Sequence, residues 1–180
     1  MSRPAAFLDR DGVINEDRGY VHRSQDLVLL PGVIDGLVQL QALGFALVVI
    51  TNQSGIGRGY FNQSDFEALT DDLRTRLAGA GIGLDGVYHC PHLPDAACDC
   101  RKPAPGLIRR ASADLDLEVT TSILIGDKPS DIAAGRAAGV ARCFLVRSGQ
   151  AIDAGDERKA DRTFDDLAAC ARWLAGGERL

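Results

Sequence analysis

The chain has 180 residues, of which 46% are apolar and 25% are charged, and its formal charge is −5. This composition excludes a wholly disordered chain, and the acidic balance disfavours a nucleic-acid partner, which requires a basic surface. The longest apolar run, residues 45–50, is far shorter than the roughly 18–20 residues needed to span a bilayer, so no membrane partner is expected.

Short apolar runs alternate with helical patterns along the chain. Continuous apolar runs predict strands at residues 5–8, 45–50, 86–89, 122–125 and 141–146. Apolar residues at helical spacing predict helices at residues 32–43, 64–77, 105–115, 130–138 and 165–174. Ser64 and Glu67 predict a capping box at the start of the second helix. This alternation predicts a three-layer, Rossmann-like α/β fold with a central parallel sheet.

The predicted loops are short, which limits the domain organisation. None is long enough for a separate cap domain, since a domain needs at least about 50 residues. Asp9 also interrupts the first apolar segment before a secretory signal peptide could form. We therefore expect a single domain over residues 1–180, monomeric and located in the cytoplasm.

Polar side chains follow several predicted strands at the point where each strand ends. Asp9 and Asp11 follow the first strand, Thr51 follows the second, and Asp127 follows the fourth. Ligands of open α/β sheets bind at these carboxyl ends, so the four residues should meet in one crevice. Close carboxylates repel each other unless a cation lies among them, and oxygen ligands select Mg²⁺. Asp131 either caps the next helix or joins this metal site.

Three cysteines and a histidine lie close together in a segment with few apolar residues. The spacing is C-x-H-x5-C-x-C, formed by Cys90, His92, Cys98 and Cys100. Thiolate and imidazole ligands of this kind typically form a closed, structural Zn²⁺ site. A catalytic zinc, a disulfide and free thiols are weaker alternatives. A loop folded on zinc would direct the adjacent Arg101 and Lys102 to the crevice.

Two polar segments follow the first and second strands and are candidates for substrate binding. Their side chains can donate and accept hydrogen bonds from a sugar, and their arginines can bind a second phosphate; an ordinary polar loop surface is the alternative. The candidates are Asp17, Arg18, Gly19, Tyr20, Asn52, Gln53, Ser54 and Arg58.

Together these motifs resemble the haloacid dehalogenase (HAD) superfamily of aspartate-nucleophile phosphatases. The shared features are Asp-x-Asp after the first strand, a threonine after the second, a lysine before a later helix and Gly-Asp-x-x-x-Asp after the fourth strand. Within that superfamily, several segments resemble the D-glycero-D-manno-heptose 1,7-bisphosphate 7-phosphatases of the histidinol-phosphatase-like subfamily. The segments are FLDRDGVIN, DRGYVHR, ALVVITNQSGIGRGYF, CPHLPDAACDCRKPAPG and ILIGDKPSD.

The resemblance implies a role for each motif residue. Asp9 would be the nucleophile that becomes an aspartyl-phosphate, and Asp11 the acid and base. Thr51 and Lys102 would bind the transferred phosphoryl group. Further implied roles are Mg²⁺ binding by Asp9, the backbone carbonyl of Asp11 and Asp127, Zn²⁺ binding by the Cys/His segment, and substrate binding by Arg101, Lys102 and Lys128.

The implied reaction is Mg²⁺-dependent removal of the C7 phosphate from a heptose bisphosphate, a small-molecule substrate. It would give heptose 1-phosphate for ADP- or GDP-heptose biosynthesis. A histidinol-phosphate or other small sugar-phosphate phosphatase is an alternative with similar motifs. A zinc-stabilised binding module without catalysis would leave Asp9, Asp11, Lys102 and Asp127 unexplained. A nucleic-acid 3′-phosphatase is disfavoured by the acidic charge.

Overall fold

The computed structural model describes residues 2–177, so both ends of the predicted 1–180 domain lie outside the described part. Its strands form one six-stranded parallel sheet in the order β3-β2-β1-β4-β5-β6. The strands are β1 Ala5–Leu8, β2 Ala46–Asn52, β3 Gly86–Cys90, β4 Ile123–Gly126, β5 Arg142–Val146 and β6 Arg162–Phe164.

Helices cover both faces of this sheet. They are α1 Val33–Ala42, α2 Ser54–Gly57, α3 Gln63–Ala78, α4 Gly106–Leu115, α5 Pro129–Ala138, α6 Ala154–Glu157 and α7 Leu167–Ala175. Successive residues of a strand point to opposite faces, and β1 shows the consequence clearly. Ala6 and Leu8 join one apolar core with α1, α3 and α7, whereas Ala5 and Phe7 join another with α4 and α5. The predicted three-layer α/β fold is confirmed.

The order of the strands determines where a ligand can bind. Leu8 of β1 lies opposite Val49 of β2 on one side and Ile125 of β4 on the other. Strands β2 and β3 therefore extend the sheet on one side of β1, and strands β4, β5 and β6 extend it on the other side. The direction in which successive strands are added reverses between β1 and β4. A crevice forms at such a switch point, outside the carboxyl ends of the strands.

The elements differ from the sequence-based prediction at several places, including the short helices α2 and α6, which were not predicted. The predicted capping box of Ser64 and Glu67 is wrong, because Asn62 caps α3 and exchanges hydrogen bonds with Asp65. Strand β2 continues through Thr51 and Asn52, which the prediction placed after the strand. Strand β6 was missed, since it has three residues and begins with the exposed Arg162.

Between residues 2 and 177, no helix combines sufficient length with sufficient apolar character to cross a bilayer.

Candidate active site

A cavity of about 600 Å³ opens at the carboxyl ends of β1, β2 and β4. It brings together side chains that are distant in the sequence, as the strand-end pattern predicts. The residues that line it are Asp9, Asp11, Asp17, Gly19, Tyr20, Thr51, Asn52, Gln53, Ser54, Arg101, Lys102, Pro103, Lys128, Ser130, Asp131 and Gln150.

Lys102 occupies the centre of the polar network below this cavity. Its ammonium group lies 2.8 Å from Asp9 Oδ1 and 2.7 Å from Asp131 Oδ1, and it donates to the carbonyl of Ile50 at 2.8 Å. Only 4% of Lys102 is exposed. A buried cation with three acceptors has little freedom to move, so Lys102 fixes the position of the Asp9 carboxylate.

The electrostatics of this group follow from burial and from the neighbouring charges. Burial opposes ionisation of Asp9, but the positive charges of Lys102 and Lys128 outweigh it and hold the pKa of Asp9 below its usual value. Burial also favours neutral Lys102, yet the carboxylates of Asp131 and Asp9 outweigh it and raise the pKa of Lys102. Asp9 is therefore an ionised carboxylate, which is the form a nucleophile requires.

Asp127 is a fully buried carboxylate whose nearest cation, the ammonium group of Lys128, lies 3.9 Å from its Oδ2 atom. Burial, followed by the negative charge of Asp9, raises the pKa of Asp127 to about 7. Its Oδ1 atom is buried and has no hydrogen-bond partner within residues 2–177, and Oδ2 accepts from the backbone N–H of Gln150 at 3.1 Å. Carboxylate oxygens of Asp9, Asp127 and Asp131 lie within 4.8 Å of one another. This hard oxygen donor set fits Mg²⁺.

Two glycines pack directly against Asp127. A Cβ atom on Gly12 would lie 2.5 Å from Asp127 Oδ2, and one on Gly149 would lie 2.6 Å from Asp127 Cβ. Gly12 also has a φ of +89°, which favours glycine, at the point where the chain turns away after Asp11. The close approach of both backbones holds the Asp127 carboxylate in place.

Asp131, whose role the sequence left open, caps α5 and pairs with Lys102. Its Oδ2 atom accepts from the backbone N–H of Lys128 at 3.0 Å, while Oδ1 faces Lys102. The helix-capping alternative is thus confirmed, although the same carboxylate also lies in the acidic group around the candidate Mg²⁺ site.

The Cys/His segment forms a compact cluster beside the cavity. Sγ of Cys90 lies 3.8 Å from Sγ of Cys98, 3.2 Å from Sγ of Cys100 and 3.4 Å from Nδ1 of His92. A tetrahedron with Zn–S bonds of about 2.3 Å has edges of about 3.8 Å, close to these separations. The Cys₃His donor set therefore fits Zn²⁺.

Hydrogen bonds connect this cluster to the cavity. The side-chain amide of Asn52 donates to the carbonyl of Lys102 and accepts from the Lys102 N–H, both at 3.1 Å. The backbone N–H of Gly106, at the start of α4, donates to the carbonyl of Asp99 at 2.9 Å. The segment that carries Arg101 and Lys102 directly follows Cys100 of the cluster and is thus held by Asn52 of β2 and by the start of α4.

Comparisons with known proteins give the family. A hydrolase-like family model, described as HAD-hydrolase-like, matches residues 99–170. The chain is 43% identical over 180 residues to the D-glycero-beta-D-manno-heptose-1,7-bisphosphate 7-phosphatase of Photorhabdus laumondii, covering 96% of each chain. It is 45% identical over 174 residues to the protein of that name from Escherichia coli K12, covering 93% of this chain and 91% of the relative. The chain belongs to the D-glycero-beta-D-manno-heptose-1,7-bisphosphate 7-phosphatase family.

A solved structure supports the same assignment to the heptose-bisphosphate phosphatase family. The D,D-heptose 1.7-bisphosphate phosphatase from B. bronchiseptica, complexed with magnesium and phosphate, superposes with a TM-score of 0.85 at 32% identity. The match covers 96% of this chain and 98% of that chain. The predicted resemblance, including membership of the HAD superfamily, is confirmed.

Most residues predicted for the phosphatase site line the cavity. Of the predicted substrate-binding residues, two lie outside the cavity lining: Arg58 is exposed after α2, and Arg18 is exposed and pairs with Glu16 at 2.7 Å. Asp17 accepts from Lys128 at 3.4 Å and from the Gln150 side chain at 3.3 Å.

Sequence reasoning missed several residues that line this phosphatase cavity. Gln150 follows β5 and reaches the site only because β5 lies beside β4, an adjacency that a local motif does not reveal. Pro103 directly follows the predicted Lys102, and Ser130 lies two residues after the predicted Lys128. Their position along the chain could therefore have identified both as cavity residues. The buried Arg10 was also missed, although it lies between the two motif aspartates.

Proposed function

We propose that the chain is a Mg²⁺-dependent phosphatase that removes the C7 phosphate of D-glycero-β-D-manno-heptose 1,7-bisphosphate and leaves heptose 1-phosphate. The observation that carries the proposal is the buried Asp9–Lys102 pair beside Asp127, whose buried Oδ1 atom has no hydrogen-bond partner within residues 2–177, at the switch point of the sheet. Relatives that are 43% and 45% identical bear the name of this activity, and their name supports the β anomer.

Asp9 acts as the nucleophile in the first step. Its carboxylate attacks phosphorus, the bond between phosphorus and the sugar oxygen breaks, and an aspartyl-phosphate forms. Lys102 keeps Asp9 ionised at 2.8 Å and offsets negative charge on the phosphoryl oxygens. The Thr51 hydroxyl accepts from Gln53 at 2.9 Å, which leaves its own proton free to bond a phosphoryl oxygen.

Asp11 moves the protons in both steps. It donates a proton to the departing sugar oxygen and then accepts one from the water that hydrolyses the aspartyl-phosphate. Asp11 lines the cavity two residues after Asp9, on the same side of the crevice as Thr51 and Gln53. This position suits a group that meets the leaving oxygen rather than the phosphorus.

Asp127, together with Asp9 and the Asp11 backbone carbonyl, holds the metal in this proposal. Magnesium bound there supplies positive charge to the transferring phosphoryl group. The contribution of Asp127 is to offer a buried oxygen that no hydrogen bond within residues 2–177 occupies. Zinc in the Cys/His cluster is structural, and it orients the segment that carries Arg101 and Lys102.

Charged and polar groups at the mouth of the cavity bind the rest of the substrate. Arg101 and Lys128 line the cavity and attract the anionic bisphosphate, while Asp17 and Gln150 offer hydrogen bonds to sugar hydroxyls. The same proposal includes one catalytic domain that works as a monomer in the cytoplasm. Participation of Arg18 and Arg58 stays a prediction.

The experiment that tests the proposed function compares catalytic efficiency on three substrates. The β and α anomers of D-glycero-D-manno-heptose 1,7-bisphosphate and histidinol phosphate are assayed with Mg²⁺, and ³¹P NMR identifies the phosphate that is lost. We expect the β anomer to react fastest and to lose only its C7 phosphate. Faster hydrolysis of histidinol phosphate would favour the alternative phosphatase, and no hydrolysis of any of them would favour a binding module.

A further inference from the structure

Arg10 lies between the two aspartates of the motif, and the mechanism above gives it no task. Its side chain is buried, with 2% of the residue exposed. Nη2 donates to Asp11 Oδ1 at 3.0 Å and to Oδ2 at 2.9 Å, and Nε lies 3.3 Å from Oδ1. Contact with both oxygens fixes the plane of the Asp11 carboxyl group, which a single hydrogen bond does not do.

Asn15 binds the same carboxyl group from a second direction. It is fully buried, and its Nδ2 atom donates to Asp11 Oδ1 at 2.9 Å and to the carbonyl of Glu16 at 2.8 Å. Two nitrogens of Arg10 and one of Asn15 therefore converge on Oδ1.

The other oxygen of Asp11 is on the side of the reacting groups. Gln53 Nε2 donates to Asp11 Oδ2 at 3.1 Å and to Thr51 Oγ1 at 2.9 Å. Gln53 and Thr51 both line the cavity, so Oδ2 lies toward the phosphoryl-binding side. Both oxygens of Asp11 thus contact Arg10 Nη2, but Oδ1 is also bound by Arg10 Nε and Asn15, whereas Oδ2 is also bound by Gln53.

Contacts outside the motif fix the guanidinium of Arg10. Nη2 also donates to the carbonyl of Val21 at 2.8 Å, and the guanidinium carbon lies 6.0 Å from the centre of the Phe66 ring. Val21 directly follows Tyr20, which lines the cavity. Arg10 therefore connects Asp11 to the loop that borders the substrate cavity.

We propose that Arg10 and Asn15 are positioning residues for the acid–base step, which fix the plane of the Asp11 carboxyl group so that Oδ2, on the side of Gln53 and Thr51, exchanges the proton. As the leaving group departs, the Oδ2–H bond breaks, its proton passes to the leaving oxygen, and the electron pair stays on Oδ2. In hydrolysis, Oδ2 accepts a proton from the water whose oxygen bonds to phosphorus, and the Asp9 carboxylate leaves. The inference rests on the proposed function, because it refines the acid–base role that the proposed function gives to Asp11.

The test compares phosphate esters that differ in their need for a proton. A sugar phosphate releases an alkoxide, which must be protonated, whereas p-nitrophenyl phosphate releases a stabilised phenolate, which does not. The value of kcat/KM reports only the steps up to departure of the leaving group, so it isolates the donor role of Asp11. The variants are Arg10→Lys, Asn15→Leu and Asp11→Asn, with Arg110→Met as a control on the exposed face of α4.

We expect Arg10→Lys and Asn15→Leu to lower kcat/KM on the sugar phosphate by about 100-fold, the effect of a misplaced catalytic group, and on p-nitrophenyl phosphate by less than about 3-fold. Adding Arg10→Lys to Asp11→Asn should cause little further loss, since residues that act as a unit are not additive. Arg110→Met should match the wild type on both esters.

Two results would overturn the inference. One is an equal loss on both esters, which indicates a general loss of the site; the other is full additivity of Arg10→Lys with Asp11→Asn. Melting temperatures show whether each variant is folded. If Arg10→Lys does not fold, the same comparison of the two esters is made with Asn15→Leu. The proposed function would fail separately if the wild type hydrolysed other alkyl phosphates but not the heptose bisphosphate. The Arg10 and Asn15 variants would then be compared on those alkyl phosphates and on p-nitrophenyl phosphate.

Discussion

The ammonium group of Lys102 lies 2.8 Å from the carboxylate of Asp9, although 93 positions separate the two residues. The pair depends on two independent constraints. Strand β1 places Asp9 at the switch point of the sheet, and Asn52 holds the backbone of Lys102 against the end of β2. Asp131 contacts the same ammonium group at 2.7 Å, so one lysine serves two buried carboxylates.

Replacing Lys102 by Met should damage both activity and stability. The change leaves Asp9 and Asp131 buried without their cation, which typically costs about 3–5 kcal/mol of unfolding free energy. Loss of one group that stabilises a transition state lowers kcat by about 10²–10³-fold. Phosphate release and urea unfolding measure the two effects. Lys159→Met, at an exposed lysine paired with Asp156, is the control, and an equal loss of activity there would contradict the prediction.

Removing the side-chain amide of Asn52 should reduce activity through Lys102. Asn52→Leu loses both 3.1 Å hydrogen bonds to the Lys102 backbone, and displacement of a catalytic group by about 1 Å costs about 10²-fold in rate. Asn62→Ala, which removes the cap of α3, should instead cost about 1 kcal/mol of stability and leave kcat unchanged. A wild-type kcat in Asn52→Leu would show that this contact does not position Lys102.

Adding a methyl group at Gly149 should weaken Mg²⁺ binding. A Cβ atom there would lie 2.6 Å from Asp127 Cβ, so the carboxylate must move. Changes around a metal ligand typically cost about 10–100-fold in affinity, and the Mg²⁺ concentration for half-maximal activity should rise by about that factor. Gly83→Ala is the matched control, since a Cβ atom there meets no other atom within 4 Å. An unchanged Mg²⁺ requirement in Gly149→Ala would exclude this effect.

Zinc removal or Cys98→Ser should lower stability and activity together. Loss of a structural metal site belongs to the large destabilising changes, about 4 kcal/mol. A loss of that size lowers Tm by about 8–16 °C in a protein of this length. Metal analysis and thermal unfolding measure the outcome, and Cys143→Ala, in the apolar core below α4 and α5, should retain its zinc. Full activity and Tm after stoichiometric zinc removal would refute a structural role.

Much of the fold was predictable because the sheet is parallel and buried. Strands covered on both faces are continuous apolar runs, and β1 and β4 are of this kind. Strand β6 gives no such signal, since Arg162 is exposed and only Phe164 is buried. The start of α3 was misplaced because Asn62 and Asp65 form a second possible capping box two residues before Ser64.

The candidate site was predictable where a local motif ends a strand, as at Asp9, Thr51 and Asp127. Gln150 and the ion pair of Lys102 with Asp131 depend on which strands are neighbours, and that order is a tertiary property. The exposed arginines Arg18 and Arg58 were predicted to bind substrate, but they do not line the cavity. Arg18 has a charge suited to a phosphate, yet a local partner, Glu16, binds it at 2.7 Å.

The proposed nucleophile can be tested by phosphate release from heptose bisphosphate, with and without Mg²⁺, by the wild type, Asp9→Asn and Asp35→Asn. Asp35 is an exposed residue of α1 and serves as the control. We predict Mg²⁺-dependent release by the wild type and Asp35→Asn, and none detectable by Asp9→Asn, even though that variant folds. Release by folded Asp9→Asn at the wild-type rate would contradict the proposal that Asp9 carries the phosphoryl group.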